Sequence, residues 1–383
     1  MTINIDQPML VSIIIPSKNR PLQLFETLKA NAALGELSGV EMVIADNSAE
    51  PMPAEMVEAC RRLYPYFVYQ NDPGEKSIIA NFNAGLRLAG GQFIMFIGDD
   101  DFVLPEVVTA AQFARARALQ CIIYPPDKYY WGSCQFAERS MIGPNCLIRG
   151  GAAAVAREID VRAELLKSAK NGFLTIESLP RAYHGLVERS KMISMGEAGG
   201  SAITGGSPDI SMAVSLALHD TRTYYWAKPL SIYGASTGSG GGMTTSGTHL
   251  LPLHEATFLE KDFVATWHRS IPAYWSEYTV FPASVLYIHV RMGVAPTGFN
   301  LAAVYAAILL NERHMTGQLR TTVADLDVAT RRMVLKNLPA ALARKGAGRL
   351  WRKLVNAKLV NAPSMGEISH GLGHLDVLAK YRP

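Results

Sequence analysis

Cysteine is scarce and unpaired in this chain. Cys60, Cys121, Cys134 and Cys146 are the four among 383 residues, with no CxxC pair and no zinc-like spacing. That argues against a disulfide scaffold and fits a reducing, cytoplasmic setting. Phosphate-loop glycines are missing as well. The first turn, Pro16-Ser17-Lys18-Asn19-Arg20-Pro21, has neither the GxGxxG of dinucleotide binders nor a GxxxxGK[ST] loop, so nicotinamide chemistry and P-loop hydrolysis lose ground. No apolar run reaches membrane length uninterrupted. The most apolar later stretch, Val280 to Leu310, is broken by His289, Arg291, Pro296 and Asn300 and reads as buried helices. The short polar lead containing Asp6 does not read as a signal peptide. Net charge is only +4, too little to imply nucleic acid.

What is present is a core and an alternation. Hydrophobic residues make up 49% of the chain, enough for one large domain with an appendage, or two domains. Leu10 to Ile15 is a β-branched run closed by Pro16, as in a central parallel strand. Pro21 starts a helix with Leu22, Phe25 and Leu28 on one face. Strands follow at Met42–Ala45, Phe67–Tyr69, Phe93–Ile97 and Cys121–Tyr124, separated by helices at Glu55–Leu63, Ile79–Leu88 and from Pro105 to about Leu119. This β-α repetition predicts an α/β fold with a doubly wound, mainly parallel sheet. Arg157 to Lys170 reads as a helix. Gly234 to Gly247, with six glycines, reads as a mobile loop. Beyond Leu250 the signals are mainly helical.

Gly98-Asp99-Asp100-Asp101 directly follows the apolar run Phe93 to Ile97. In an open α/β sheet, ligands bind at the carboxyl ends of strands. Three adjacent carboxylates repel one another unless a cation or hydrogen bonds absorb the charge. Hard oxygen ligands favour Mg²⁺ or Mn²⁺, commonly completed by substrate phosphates. The alternative is a solvated acidic turn.

Four segments stand in order: Val11 to Arg20, Val43-Ile44-Ala45-Asp46-Asn47-Ser48, Asn81-Phe82-Asn83-Ala84-Gly85 through Gly91-Gln92-Phe93, and Gly98 to Asp101. Together they resemble family 2 glycosyltransferases of the GT-A fold, over roughly residues 10 to 230. The resemblance implies a nucleotide-diphosphate sugar donor, a Mn²⁺ or Mg²⁺ ion, and inversion at the anomeric carbon. Asp46 matches the acid that accepts a hydrogen bond from the donor's base, suiting the N3–H of uracil and hence a UDP-sugar, with other bases left open. Pro16 and the turn Ser17, Asn19 and Arg20 match the wall of the base pocket. Asp99 and Asp101 match the two acids of the DxD motif, Asp101 as the more direct metal ligand and Asp99 nearer the ribose or a metal-bound water, with Asp100 beside them on the nucleotide side. Lys76 is a candidate diphosphate partner and Asn81 a candidate for nucleotide binding, the alternative for Asn81 and Asn83 being that they simply cap or line the helix start. Taken without the resemblance, Asp46 is equally a turn-initiating acid before Asn47-Ser48.

Inverting transfer needs a base for the acceptor hydroxyl. Ser207-Pro208-Asp209 matches a pattern found in a subset of the family, and Asp209 is the candidate, although the commoner Glu-Asp pair is missing. Ile210, Ala213, Val214, Ala217 and Leu218 repeat at helical spacing, so Ser207 is the N-cap, Pro208 follows it, and Asp209 lies in the first turn. An acid there is also favoured by the helix dipole without any catalysis. Tyr183 and His184 are candidates for the acceptor side, His249 and His254 for the metal shell.

No acid occurs between Asp327 and Glu367, where nine Lys and Arg stand, and without those nine the formal charge becomes −5. Interleaved leucines predict amphipathic helices, either packed on the catalytic part or docked through residues 331–358 on an anionic membrane surface. Aromatics are too sparse there for RNA. The expected organisation is a catalytic domain over 1–230, a glycine-rich loop over 231–255 and a helical region over 256–383. The expected protein is a cytoplasmic glycosyltransferase, peripheral on the inner membrane face, acting on a glycan or lipid-linked acceptor in surface polysaccharide assembly. The alternatives are a nucleotide-sugar-binding or membrane-assembly protein without catalysis, and a sugar-phosphate nucleotidyltransferase. The latter is disfavoured by the first turn, which is not glycine-rich.

Overall fold

The computed structural model describes residues 9–74, 76–136, 144–148, 155–197, 201–246 and 250–360. Strand β1 (Val11–Ser17) is followed by α1 (Pro21–Leu34), β2 (Val40–Asp46), α2 (Ala54–Leu63), β3 (Phe67–Asn71), α3 (Ile78–Leu88) and β4 (Phe93–Phe96). Next come β5 (Phe102–Val103), α4 (Glu106–Ala116), β6 (Cys121–Ile123), β7 (Asp127–Tyr130), β8 (Cys146–Ile148), β9 (Arg157–Ile159) and α5 (Val161–Lys170). Then follow β10 (Gly185–Glu188), α6 (Arg189–Glu197), α7 (Pro208–Leu218), β11 (Thr223–Tyr225), β12 (Ser231–Ala235) and α8 (Gly240–Ser246). The rest is β13 (Leu251–Pro252), α9 (Lys261–Ala265), β14 (Tyr274–Trp275), α10 (Glu277–Arg291), α11 (Leu301–Asn311), α12 (Thr316–Ala324) and α13 (Val328–Val360).

The main sheet has the order β3-β2-β1-β4-β10-β6-β11-β9. β1 pairs in parallel with β2 and with β4, and β2 with β3, while β10 runs antiparallel between β4 and β6. The sheet is thus α/β and mainly parallel, as the alternation predicts. Val11, Ile13, Ile14 and Ile15 are fully buried because helices cover both faces. Val11, Ile13 and Ile15 meet Leu24 and Leu28 of α1, Val57 and Cys60 of α2 and Val107 and Ala110 of α4. Ile14 faces the other way, onto Ile79, Phe82 and Leu86 of α3 and Met212 and Leu216 of α7. Each such aliphatic chain contributes roughly 1.5–3 kcal/mol by burial. Chain order reverses between β1 and its neighbours β2 and β4, so their carboxyl ends open a crevice at one edge.

A smaller sheet, β5-β12-β7-β8, packs beside the loop after β4. A third apolar cluster joins Phe263, Trp275, Val280, Leu286, Tyr305 and Leu319 in the region after residue 255. The helical extension expected beyond Leu250 is present.

Two expectations need correction. Arg157 to Lys170 is not one helix: Arg157–Ile159 pairs antiparallel with Thr223–Tyr225 as an edge strand. Asp160 then caps α5 by accepting from Ala163 N at 3.0 Å, which turns the chain. Gly234 to Gly247 is not a loop throughout: β12 crosses its start and α8 its second half. Gly234 is needed in β12, since a Cβ there would lie 1.8 Å from the Asp100 carbonyl oxygen. The glycine marks a close backbone approach rather than freedom of movement. His249 lies outside the described residues, as do the side chains of Arg349, Arg352, Lys353 and Lys358.

Candidate active site

A cavity of about 590 Å³ opens at the carboxyl ends of β1 and β4. Pro16, Ser17, Arg20, Lys76, Asn81, Asp99, Asp100 and Asp209 all line it, so most of the residues singled out from the sequence converge. α1 begins after Arg20, and Asn19 before it adopts a left-handed φ of 56°, a conformation asparagine tolerates. Asn19 does not reach the cavity. Its backbone N donates to Ser48 Oγ at 2.7 Å, and its side chain accepts from Ala49 N at 3.2 Å, fastening the first turn to the second.

The acidic loop is held by many donors. Ser17 Oγ donates to Asp99 Oδ2 at 2.7 Å, and Arg20 forms a direct ion pair with Asp99 and stands 3.8 Å from Asp100. Ser236 Oγ donates to Asp100 Oδ2 at 2.5 Å and accepts from Arg20. Burial pushes the Asp99 carboxyl up against the opposing pull of Arg20. Burial, reinforced by the charges of Asp101 and Asp99, pushes Asp100 up to about 8.

Asp101, expected as the more direct metal ligand, turns away from the cavity. Gly234 N and Gly98 N each donate to it at 2.5 Å, on Oδ1 and Oδ2 respectively. His184 Nε2 lies 2.9 Å and Tyr183 Oη 3.3 Å from Oδ2. Its side chain is fully buried, so of the three adjacent acids only Asp99 and Asp100 line the cavity wall. His184, expected on the acceptor side, instead supports Asp101. Its Nδ1 lies 2.6 Å from Ser231 Oγ, itself 2.6 Å from Tyr124 Oη.

Asp46 is also absent from the wall. Its Oδ1 accepts from Ser48 N at 2.9 Å and Ser48 Oγ at 2.5 Å, and its Oδ2 from Tyr69 Oη at 2.6 Å. This is an Asx turn, and the cavity-lining neighbour is Asn47. Asn81 donates to the carbonyls of Ser17 and Ala45 at 3.2 and 3.1 Å, tying β1 to β2. Asn83 exchanges hydrogen bonds with the Ile203 backbone at 2.8 and 3.1 Å and is structural. Lys76 pairs with Asp72. His254, offered for the metal shell, sits on the surface with its side chain 81% exposed, because the turn Leu253–Glu255 carries it outward.

Asp209 lies in the first turn of α7, with Ser207 at the N-cap and Pro208 next. The Ser207 hydroxyl does not cap the helix but donates to Asp209 Oδ1. Burial pushes the Asp209 carboxyl up, and the hydrogen bonds from Ser207 and Ile210 offset part of this. A carboxyl so held can accept a proton from a hydroxyl in the cavity. Motif reading missed Tyr233, Ser236, Phe258, Trp275 and Glu277. None stands in a recognisable pattern, and Ser236 is hidden inside the glycine-rich stretch.

Residues 12–157 match the family model described as glycosyl transferase family 2. The succinoglycan biosynthesis protein ExoM of Rhizobium meliloti (strain 1021) is 30% identical over 124 residues, covering 31% of this chain and 40% of that protein. The chain thus spans about two fifths of the length of the curated relative it matches. Among solved structures, S. aureus TarS 1-349 in complex with UDP-GlcNAc is similar at 15% identity. The TM-score is 0.47, over 87% of this chain and 82% of that one. The mannosyltransferase PcManGT from Pyrobaculum calidifontis, in complex with GDP-Man and Mn²⁺, is similar at 15% identity. Its TM-score is 0.41, over 91% and 88% of the two chains. The similarity to glycosyl transferase family 2 is thus carried by residues 12–157 of this chain.

Proposed function

We propose that this chain moves a glycosyl group from a nucleoside-diphosphate sugar to an acceptor hydroxyl with inversion, in the assembly of a polysaccharide. One observation carries the reading: Arg20, Asp99, Asp100 and Asp209 line a single cavity at the carboxyl ends of the parallel strands. Its volume of about 590 Å³ lies in the range of small-molecule sites.

The acidic wall suits a divalent cation of limited kind. No group of three or more His, Cys, Asp or Glu converges as a self-contained cage among the described residues. Two hard carboxylates, Asp99 and Asp100, instead suit Mn²⁺ or Mg²⁺ shared with substrate phosphates. When bound there, the ion would offset charge on the departing diphosphate.

The chain's own residues supply the rest. Arg20 and Lys76 present cationic groups toward a diphosphate, and Ser17 and Ser236 hold the two acids in place. The acceptor oxygen attacks the anomeric carbon. A bond forms between them as the bond to the diphosphate oxygen breaks, and that electron pair leaves with the diphosphate. Asp209 takes the hydroxyl proton. The donor base stays open, because Asp46, which favoured uracil, is occupied by Ser48 and Tyr69.

The test is a screen of UDP- and GDP-sugars with Mn²⁺ for binding and slow donor hydrolysis. One donor is expected to bind and to be hydrolysed. Asp100→Ala should lose binding, and Asp209→Asn should keep binding and lose turnover. Failure of every nucleotide sugar to bind would overturn the reading.

No described helix is long and apolar enough to cross a membrane. Arg332, Leu335 and Lys336 share an exposed face of α13, opposite the buried Val334 and Ala341. We read this face as a docking strip for an anionic bilayer that carries the acceptor.

A further inference from the structure

One part of the cavity wall takes no role in donor or base chemistry. Phe258, Trp275, Glu277, Val280 and Phe281 line it, all from the region after residue 255. Phe258 and Trp275 meet edge to face, with centroids 5.0 Å apart and planes at 77°. This wall is fastened to the donor side. Ile78 N donates to the Phe258 carbonyl at 2.9 Å, and Ser77 Oγ to Glu260 Oε1 at 3.3 Å. Both bonds sit at the start of α3, which also brings Asn81 and Phe82 into the cavity.

Glu277 opens α10 behind the N-cap Ser276, whose capping box with Thr279 fixes the helix start. α10 packs on α7 through Val285 and Ile288 against Ile210, Ala213 and Val214. Two carboxyls, Asp209 and Glu277, thereby face one cavity from the first turns of neighbouring helices. Burial and then the charge of Asp209 push Glu277 up. Among the described residues no group donates a hydrogen bond to its carboxyl.

A half-buried acceptor without a donor is costly unless a ligand supplies one. Beside it the aromatic side chains of Phe258 and Trp275, the latter 8% exposed, give the wall apolar carbon. A hydrocarbon chain would cover the rings and leave Glu277 unsatisfied. A small cation would meet the acids and leave the rings unused. A pyranose ring has C–H groups on its faces and hydroxyls at its edge, and it answers both.

We infer that Phe258, Trp275 and Glu277 form the acceptor subsite, and that the acceptor presents a sugar ring there. One ring face lies on the aromatic wall, and a hydroxyl donates to Glu277, which sets specificity and leaves the proton transfer to Asp209. The inference rests on the glycosyl-transfer reading above and names its second substrate.

The experiment titrates the full chain with methyl β-D-glucopyranoside, methyl α-D-mannopyranoside, methyl β-N-acetylglucosaminide and cellobiose, following tryptophan fluorescence. Wild type, Trp275→Phe and Glu277→Gln are compared, and UDP and GDP binding with Mn²⁺ is measured in all three. At least one sugar should give a saturable change in wild type. Trp275→Phe should lose that signal, and Glu277→Gln should weaken the affinity at least tenfold, with nucleotide binding unchanged within twofold. The subsite is refuted if no sugar saturates or if both variants behave as wild type. Loss of nucleotide binding in wild type would instead sink the donor reading, whatever the sugars do.

Discussion

His184 Nε2 lies 2.9 Å from Asp101 Oδ2, and both side chains are buried. One proton arrangement satisfies the whole row: Tyr124 donates to Ser231, Ser231 to His184 Nδ1, and His184 Nε2–H to Asp101. Asp101 in turn fixes the backbone at Gly98 and Gly234. The middle of the acidic triplet is thus aimed at the cavity by a carboxylate and an imidazole that never reach it.

His184→Ala is therefore expected to act through the loop. It removes a donor from a buried carboxylate, at a cost of about 1–3 kcal/mol in folding. His184 also holds a left-handed φ of 48°, which asparagine accepts better than alanine. Urea denaturation should rank wild type above His184→Asn above His184→Ala, and Mn²⁺-dependent nucleotide binding should fall in the same order. Equal stability of all three would show that the imidazole does not hold the loop.

Arg20 supplies the positive charge beside Asp99 and Asp100. Arg20→Met leaves two buried carboxylates in contact with no counter-charge, and breaking such a pair is expensive. The guanidinium retains some solvent contact, so a loss of roughly 1–3 kcal/mol is expected. A divalent cation can replace part of that charge, and binding to the native state alone raises stability. Thermal melts should show Mn²⁺ stabilising Arg20→Met more than wild type. A smaller Mn²⁺ effect in the variant would place the cation elsewhere.

Asp209 gives a pH test whose sign follows from its raised pKa. Its contribution to stability is full below the unfolded carboxylate value of about 3.9 and is lost as pH rises through the higher folded value. Asp209→Asn should therefore match wild type near pH 4 and become relatively more stable toward pH 8. Turnover should fall by about 10²- to 10⁴-fold, and wild-type turnover should drop on acidification as the base is protonated. A variant less stable than wild type at pH 8 would contradict the raised pKa.

Legibility from sequence followed how local the cause was. The strands β1, β2 and β4 and their helices were readable because apolar runs and breakers fix them within a few residues. Asp209 was readable for the same reason, as a helix start. The division of labour among Asp99, Asp100 and Asp101 was not. It depends on Gly234 and Ser236 from β12 and the segment after it, more than 130 positions away, and on His184 from the turn before β10. The glycines of 234–247 suggested mobility because composition cannot separate a free glycine from one pressed against a carbonyl. The aromatic wall lay in a region where no motif applied, and only packing brings Phe258, with Trp275 against it, to the start of α3.

Gly234 and Gly240 separate those two meanings of glycine. A Cβ at Gly234 would fall 1.8 Å from the Asp100 carbonyl oxygen, whereas at Gly240 nothing lies within 4 Å. Gly234→Ala must push β12 off the acidic loop, costing about 1–3 kcal/mol or more by overpacking, and it should abolish Mn²⁺-dependent nucleotide binding. Gly240→Ala, at the start of α8, should be neutral or stabilise by up to about 1 kcal/mol by restricting the unfolded chain. Chemical denaturation and nucleotide titration of both variants decide the matter. Equal effects at the two sites would mean that the approach of β12 to Asp100 does not govern the shape of the cavity.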